Sequence, residues 1–438
     1  MRFPLVMKFG GAGLADGAAV RRACTLVQEV PGPPPILVVS AHGGVTAELE
    51  RCAERAVLGE FDLEALRIRH KSLIRELGLE PELLDRLLGE LGQVLYAISD
   101  RRRIFAEEMD FVLSFGERMS ARVVAAALRE AGIPATPVDA YDLGLTTDSC
   151  HGDARPLPGL EGSLRRSLEE IAGIPVVTGF LAKDGRGNLT TLGRNGSDLT
   201  ASLVARSVGA RRLVFWKPVA GIMDGDPDKV PTARVLTGMS MLEASAMAFH
   251  GAGVLHPSTL QPLLDTEVTI EVRDVRSPDA PGTRLDHRES SARPVAVTGI
   301  DRLEGLRVRN DGGEAAANLF ALLHINHVRP RYLKVAVDAV TLYAPSTPGF
   351  QVLRRELSER AESLPQLASV VLIGAAKQGV GLRALEVLGA SGVDPVYSQL
   401  DADGQCQLFL VEANQQAIAA EALHREWFAL ESPSSAPG

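Results

Sequence analysis

The stretch LVMKFGG, residues 5–11, is a short β-rich run that leads directly into two glycines. Three later stretches have the same form: ILVVSAHGG at 36–44, PVVTGFLA at 175–182 and LVFWKPVAG at 213–221. Helical patterns occur at 16–30, 62–76, 81–100, 114–132, 162–172, 197–208 and 240–249. Alternating strands and helices predict an α/β fold with a mostly parallel sheet sandwiched by helices. Ligands bind such sheets at the carboxyl ends of the strands, so the glycine-containing ends are candidate binding loops.

Composition narrows the class of protein. A chain of 438 residues predicts two or three domains, and 45% hydrophobic with 23% charged residues is typical of folded proteins. The net charge of −9 argues against a nucleic-acid partner. The four cysteines form no CxxC pair, so neither a zinc site nor a disulfide framework is indicated. No signal sequence or membrane-spanning run is recognisable, and we expect a cytoplasmic protein without a membrane partner.

A domain boundary is predicted between about 274 and 294, where VRSPDAPGTRLDHRESSARP is rich in proline, serine and charge and has no period. Beyond it, strand and helix patterns alternate in two small α+β units. We therefore expect domains at 1–290, 295–365 and 366–438, and the strand near 295–300 is also compatible with the last of them.

Two glycine loops are candidates for phosphate binding. The chain has no GxxxxGK[ST] motif, so it is not a P-loop kinase. In the run from Lys8 to Gly11, backbone N–H groups can approach an anion and the lysine adds positive charge. The run from Ser40 to Thr46 ends the second strand in the same way. One such loop is usually an ordinary turn, but two at the same sheet edge predict a cradle for a polyphosphate.

Two further segments carry charged side chains. The pattern of SFGERMS, residues 114–120, places Glu117 in the first turn of a helix, as a cap or as the acceptor for a substrate ammonium. The segment TTLGRNGSD, residues 190–198, contains Arg194 and, at the predicted start of a helix, Ser197 and Asp198. Capping alone accounts for the last two residues, whereas an arginine in a glycine loop indicates a carboxylate ligand.

A set of motifs, taken in order, strongly resembles aspartate kinase: KFGG, VVSAHGGVT, SFGERMSARVVAAALREAGI, GRNGSD, the stretch 216–234 and GAGVLHPSTL. The resemblance covers essentially the whole chain, because the tail after 295 is similar to the paired ACT domains of that family. It implies an amino-acid kinase fold followed by two ACT-like, ferredoxin-like domains. The implied enzyme uses ATP and Mg²⁺ to phosphorylate the L-aspartate side chain to 4-phospho-L-aspartate. This would be the first step of aspartate-derived amino-acid biosynthesis or of a related specialised pathway.

The resemblance also implies roles for single residues. Lys8 matches a lysine that stabilises the transferring phosphoryl group, and Asp198 an aspartate that organises the catalytic groups. Arg194 is matched to the α-carboxylate of the substrate and Glu117 to its α-ammonium. The other substrate-binding positions are Thr46, Phe180 and Ser197. The nucleotide-binding positions are Lys8, Gly10, Gly11, Ser40, Gly43, Gly44, Lys217 and Asp226. No side chain is assigned to hold a metal.

Some positions depart from the family pattern. At four positions the family carries polar or charged side chains that suit contacts with ATP, and this chain lacks them. The residues here are Ala12, Pro218, Asp228 and Gly253. We therefore expect weaker nucleotide binding beside an intact aspartate pocket. Arg329 stands where lysine-sensitive relatives carry an aspartate for the effector ammonium, and an arginine cannot accept that hydrogen bond.

Two alternatives and the partners follow from these observations. A kinase of the same fold could act on another carboxylate-bearing amino acid, or the chain could be a non-catalytic amino-acid sensor. ACT-like units usually pair side by side and bind effectors where they join, so we expect an amino-acid effector and a homodimer or higher homo-oligomer.

Overall fold

A computed structural model describes residues 3–291, 293–310, 313–374, 379–400 and 405–428. Its strands are β1 (Leu5–Phe9), β2 (Ile36–Val39), β3 (Ala135–Val138), β4 (Thr146–Thr147), β5 (Ile174–Thr178), β6 (Leu181–Asp184), β7 (Leu189–Thr191), β8 (Arg212–Lys217), β9 (Gly238–Ser240), β10 (Thr269–Asp274), β11 (Thr283–Asp286), β12 (Ala296–Thr298), β13 (Leu303–Arg309), β14 (Tyr332–Val335), β15 (Ala339–Pro345), β16 (Ala361–Ile373), β17 (Tyr397–Leu400) and β18 (Cys406–Val411).

The helices are α1 (Gly17–Gln28), α2 (Val45–Val57), α3 (Glu64–Leu77), α4 (Asp85–Arg101), α5 (Ala106–Glu130), α6 (Glu161–Glu170), α7 (Gly196–Val208), α8 (Met241–Phe249), α9 (Pro257–Leu260), α10 (Gly313–Ile325), α11 (Pro348–Glu356), α12 (Val380–Ala390) and α13 (Gln416–Phe428). Short 3₁₀ turns occupy Gly11–Leu14, Gln261–Leu263 and Ala413–Gln415. Within the described ranges, no helix is long and apolar enough to cross a bilayer.

The chain divides into two compact units. The first contains Met1–Ile222 and Leu255–His287, and the second contains Met223–Val254 and Arg288–Gly438. Residues 223–254 were predicted to lie in domain 1–290, but they belong to the second unit. The last predicted domain ends at 438, and its residues after 428 lie outside the described part of the chain.

The first unit is built on a mostly parallel sheet, as predicted. Its described strands lie side by side in the order β3-β5-β2-β1-β8-β10-β11, and only the last pair is antiparallel. Every residue of β1, β2 and β5 is buried, because helices cover both faces of a parallel sheet. Helix α5 packs on β2, β3 and β5, whereas α7 packs on β1, β2 and β8. Strands β4, β6 and β7 form a separate small sheet.

Strand alternation sends neighbouring side chains of β1 to opposite faces. Leu5, Met7 and Phe9 enter an apolar cluster with residues of α1, α2 and α5. Lys8 therefore points to the other face of the sheet, where α7 lies. In β8, Trp216 belongs to the same apolar cluster as Phe9 and stacks on its ring. The next residue of β8 consequently faces the same side of the sheet as Lys8.

Two predictions about this unit were wrong in detail. The helix expected at 114–132 begins eight residues earlier, at Ala106. Its start is fixed by Glu108, whose carboxylate accepts a hydrogen bond from Phe105 N at 3.0 Å, and phenylalanine is not a usual capping residue. The segment at 274–294 is also not wholly irregular, because Thr283–Asp286 form β11 against β10.

The second unit carries an antiparallel sheet with strand order β14-β15-β13-β16-β18-β17, in which β12 also pairs with β16. The long strand β16 pairs with β13 through its first part and with β12 and β18 through its second part. It therefore runs across the predicted boundary at 365/366. Two apolar clusters pack on the sheet, one around Phe350 and one around Phe409. Helix α13 and the hairpin between β14 and β15 were not predicted.

Candidate active site

A cavity of about 630 Å³ opens at the carboxyl ends of β1, β2, β5 and β8, and all of its wall comes from the first unit. The predicted site residues that line it are Lys8, Gly11, Ser40, Gly43, Gly44, Thr46, Glu117, Phe180, Arg194, Ser197, Asp198 and Lys217. Two predicted residues do not line it. Gly10 lies beside it, since a Cβ added there would be 3.5 Å from Lys8 Nζ. Asp226 lies in the second unit, paired with Lys229.

Two lysines share one buried carboxylate at the centre of the wall. Lys8 Nζ lies 2.6 Å from Asp198 Oδ1, and Lys217 Nζ lies 2.7 Å from Asp198 Oδ2. Burial alone would raise the pKa of the Asp198 carboxyl, but the two lysines hold it below its usual range. Burial, and to a smaller extent the charge of Lys8, lowers the pKa of Lys217. The cluster carries one net positive charge in a cavity wall, which suits an anionic ligand.

The local fold explains why this cluster forms. Lys8 and Lys217 come from neighbouring parallel strands and face the same side of the sheet. Asp198 comes from the helix that covers this side, and it sits in the first turn of α7, where the helix dipole favours a carboxylate.

Glu117 contributes a second acidic group from α5. It lies in the fourth turn of the helix rather than the first, so capping does not explain it. Its Oε1 accepts a hydrogen bond from Ala41 N at 3.1 Å, and its Oε2 has no hydrogen-bond partner among the described residues. Burial raises the pKa of the Glu117 carboxyl to about 7, although the Ala41 N–H and the charge of Lys8 oppose the rise. A cationic ligand group would stabilise its ionised form.

The two glycine loops are in direct contact with each other. A Cβ on Gly11 would lie 2.8 Å from Ala41 O, so the loops approach closely only because residue 11 is glycine. His42, which was not predicted, ties them together through Nδ1, 2.6 Å from Leu14 O. Burial lowers the pKa of His42 to about 3, and the imidazole stays neutral. The second loop ends at Gly44, which has φ +84° and precedes α2. The backbone N–H groups of the two loops and the N-terminus of α2 can donate hydrogen bonds to phosphate oxygens.

Arg194 lies in a loop of unusual backbone geometry. Phe180 and Asn195 have φ of +69° and +59°, a region that L side chains rarely adopt. Thr200 holds the first of these turns, because its Oγ1 accepts a hydrogen bond from Phe180 N at 3.0 Å. Arg194 itself is exposed and forms no hydrogen bond or ion pair with the described residues. Its five N–H donors are available to a carboxylate.

Other residues of the wall were also not predicted from the sequence, among them Asp110, His151 and Thr191. Asp110 precedes Glu117 by seven residues, hence by two helical turns on the same face of α5. That spacing would have singled out Asp110 if the helix had been placed from 106. His151 lies in an irregular loop, where no periodicity marks it.

A metal ion has no evident ligand set of its own here. No group of three or more His, Cys, Asp or Glu side chains suited to a metal occurs in the part of the chain that the structure describes. Both oxygens of Asp198 are engaged by lysines. A divalent cation at this site would therefore be carried mainly by phosphate oxygens and water, as Mg²⁺ commonly is.

Comparison with known proteins identifies the family to which this chain belongs. Residues 4–274 match the amino acid kinase family. Aspartokinase 2, chloroplastic, from Arabidopsis thaliana is 32% identical over 391 residues, which are 84% of this chain and 72% of that protein. The chain belongs to the aspartokinases. The family's lysine-sensitive aspartokinase 3 from Escherichia coli is 28% identical over 454 residues, covering 97% of this chain and 99% of that one.

A solved aspartokinase has the same architecture throughout. The crystal structure of E. coli aspartokinase III in complex with aspartate and ADP superposes with a TM-score of 0.82 at 27% identity, over 96% of this chain and 98% of that chain. The aspartokinase fold, a kinase domain followed by ACT-like α+β structure, is therefore confirmed for this chain.

Proposed function

We propose that this chain transfers the γ-phosphoryl group of ATP to the side-chain carboxylate of L-aspartate and forms 4-phospho-L-aspartate. The observation that carries the proposal is the cluster of Lys8, Lys217 and Asp198, which faces the same cavity as Glu117 and Arg194. A relative of the same fold binds aspartate and ADP. We propose the same two ligand classes for this cavity.

The chemistry needs positioning and charge neutralisation more than proton transfer. A carboxylate is already a nucleophile, so no general base has to act on it. Phosphoryl transfer spreads negative charge over the oxygens of the moving group, and fixed positive charge lowers the barrier. Lys8 and Lys217 supply that charge, and Asp198 keeps the two ammonium groups in place. Mg²⁺ bound to the nucleotide would neutralise further phosphate charge.

The amino-acid end of the substrate is proposed to bind on the α5 and α7 side of the cavity. Glu117 Oε2 accepts from the α-ammonium, and Arg194 binds the α-carboxylate through two N–H groups. Thr46, Phe180 and Ser197 complete the substrate pocket. The phosphate chain lies along Gly10, Gly11, Ser40, Gly43 and Gly44, with Lys217 beside it.

Nucleotide affinity is proposed to be weak. Pro218 has no N–H donor, and its carbonyl oxygen accepts a hydrogen bond from Arg276 at 2.6 Å, so the backbone beside Lys217 is already engaged. Calorimetric titration with ATP, GTP and aspartate tests this. ATP binding that is much tighter than aspartate binding would contradict it.

We also propose that residues 1–290 act as the catalytic region and that 295–365 and 366–438 act as ACT-like regulatory regions, which pair in a homodimer and bind an amino-acid effector. Arg329 argues against lysine as that effector. Strong inhibition by millimolar lysine would overturn this part of the proposal.

The direct test is aspartate-dependent ATP turnover with hydroxylamine trapping of the acyl phosphate. We expect hydroxamate with aspartate and little with glutamate or N-acylated aspartate, because these change the spacing or remove the ammonium. The variant Lys8→Met serves as the inactive control. Turnover with glutamate or an N-acylated substrate alone would assign the site to another carboxylate-bearing amino acid. No turnover with any of them would favour a sensor.

A further inference from the structure

One face of α5 lines the cavity over its first four turns. Five of its residues, at spacings of three and four, contribute to the wall: Ala106, Met109, Asp110, Leu113 and Glu117. Two of these are acidic and buried, and Glu117 has a proposed role. Asp110, which is 1% exposed, has no role in the proposed phosphoryl transfer. A buried carboxylate needs several donors to offset its loss of hydration.

Asp110 meets that need by joining two segments of the cavity wall. Its Oδ2 lies 2.8 Å from His151 Nδ1, and both of its oxygens accept from Gly152 N at 3.1 Å. Thr191 Oγ1 donates to Asp110 Oδ1 at 2.5 Å, and Thr191 N donates to Asp110 Oδ2 at 3.3 Å. One carboxylate therefore fixes the loop around His151 and the end of β7, which leads into the Arg194 loop.

The two segments also pack against each other beside Arg194. Gly193 has φ +67°, and a Cβ there would overlap the carboxylate of Asp153. Ala154 N donates to Thr191 O at 2.9 Å. The loop that carries His151 is thus built against the loop that carries Arg194, and both line the same cavity.

The hydrogen bond to Asp110 determines what His151 can offer to a ligand. With Nδ1 donating to the carboxylate, the ring orientation is fixed and Nε2 is the nitrogen left to contact a ligand. The side chain is 13% exposed and lines the cavity. A histidine that lies between two carboxylates can donate from both nitrogens, so a carboxylate ligand at Nε2 would complete its hydrogen bonding.

We propose that His151, oriented by Asp110, is a substrate-binding residue that donates from Nε2 to a carboxylate of the amino-acid substrate, beside Arg194. The inference rests on the proposed function, because it needs an amino acid in this cavity. Asp110 is a positioning residue that acts through His151 and through the segment before Arg194.

Steady-state kinetics of four variants test the proposal. His151→Phe keeps a ring but removes the donor, and we expect the KM for aspartate to rise about tenfold or more, as for the loss of a hydrogen bond to a charged group. The KM for ATP should change less than about twofold. His151→Gln can still donate from an amide and should recover part of the loss. Cys150→Ser changes an exposed neighbour in the same loop and should behave as wild type.

The fourth variant, Asp110→Asn, separates positioning from stability. It should also raise the KM for aspartate selectively, and combined with His151→Phe it should add much less than its own effect, because both act through one contact. An aspartate KM within twofold of wild type in His151→Phe, or equal rises in the KM for both substrates, would overturn the proposal.

Failure of the proposed function gives a different result. In that case wild type shows no aspartate-dependent turnover, and calorimetric titration of wild type and His151→Phe with aspartate replaces the kinetics. Weaker aspartate binding by the variant supports the His151 contact, whereas equal binding, or no binding by either protein, overturns it.

Discussion

Lys217 Nζ lies 2.7 Å from Asp198 Oδ2, on the opposite carboxylate oxygen from the one that Lys8 contacts. This ion pair joins the carboxyl end of β8 to the first turn of α7. Without the carboxylate, two ammonium groups would face each other in a largely buried wall and would repel. Asp198 is therefore the group on which the charge balance of the cavity depends.

Replacing Asp198 by asparagine should lower both stability and activity. Removing one partner of a buried ion pair costs about 3 to 5 kcal/mol, because the remaining charge is left uncompensated. We expect kcat to fall at least about a hundredfold, since Lys8 and Lys217 lose their fixed positions. Urea unfolding and hydroxamate assays measure the two effects. Asp142→Asn, at a carboxylate that is 61% exposed, is the matched control, and a similar loss in that variant would contradict the prediction.

Replacing Glu117 by glutamine should stabilise the unliganded protein at alkaline pH while reducing activity. The folded pKa is about 7 against 4.5 for the free side chain, so the folded state keeps a proton that the unfolded state has lost between these values. Stability of the wild type therefore falls as pH rises through this window, and glutamine removes that loss. Unfolding curves at several pH values should show that the free energy of unfolding of the variant increases relative to that of the wild type as the pH rises to about 7. A constant difference would mean that Glu117 does not titrate in this range.

Amino-acid binding should be linked to the release of a proton from Glu117. The ammonium of a substrate favours the ionised carboxylate, so affinity should rise with pH by up to about tenfold per unit below the folded pKa. Calorimetry in buffers of different ionisation enthalpy counts the protons released. We compare wild type with Glu117→Gln, so that other groups cancel. Identical proton counts in the two proteins would refute the link.

Replacing Gly11 by alanine should push the two phosphate loops apart. The added Cβ would lie 2.8 Å from Ala41 O, and backbone cannot move aside as a flexible side chain can. We expect a loss of about 1 to 3 kcal/mol, together with a higher KM for ATP. Gly89→Ala is the control, because it lies within α4 with open space around its Cβ and should raise stability slightly. Unchanged ATP affinity in Gly11→Ala would argue against a phosphate cradle.

Local patterns were sufficient for the sheet and for much of the cavity wall. The apolar run of β1, followed by glycine, predicts a buried strand and a loop at the same time, and this locates Lys8 at the sheet edge. Glu117 was identified as a candidate, but in the wrong turn, since the start of α5 depends on a contact between Phe105 and Glu108 that composition does not reveal. His151 depends on a tertiary hydrogen bond across forty-one residues, which no local period encodes.

The second unit was harder to predict for a related reason. Its strand β16 pairs first with β13 and then with β18. The domain boundary predicted at 365/366 from segment length therefore falls inside one continuous strand. Helix α13 was not predicted. Its His424 Nε2 lies 3.0 Å from Asp224 Oδ1, a residue two hundred positions earlier in the sequence. Such a contact becomes visible only once the fold is formed.

The chain passes from one compact unit to the other three times, after residues 222, 254 and 287. A gene truncated near 290 would thus encode a fragment that still contains residues 223–254 but lacks their packing partners, such as the cluster around Phe409 that includes Val230. Grafting a foreign regulatory tail at that point would leave the same gap. Replacing the C-terminal part of the chain with that of another protein is therefore expected to destabilise the fold. The two units are expected to be retained or lost together.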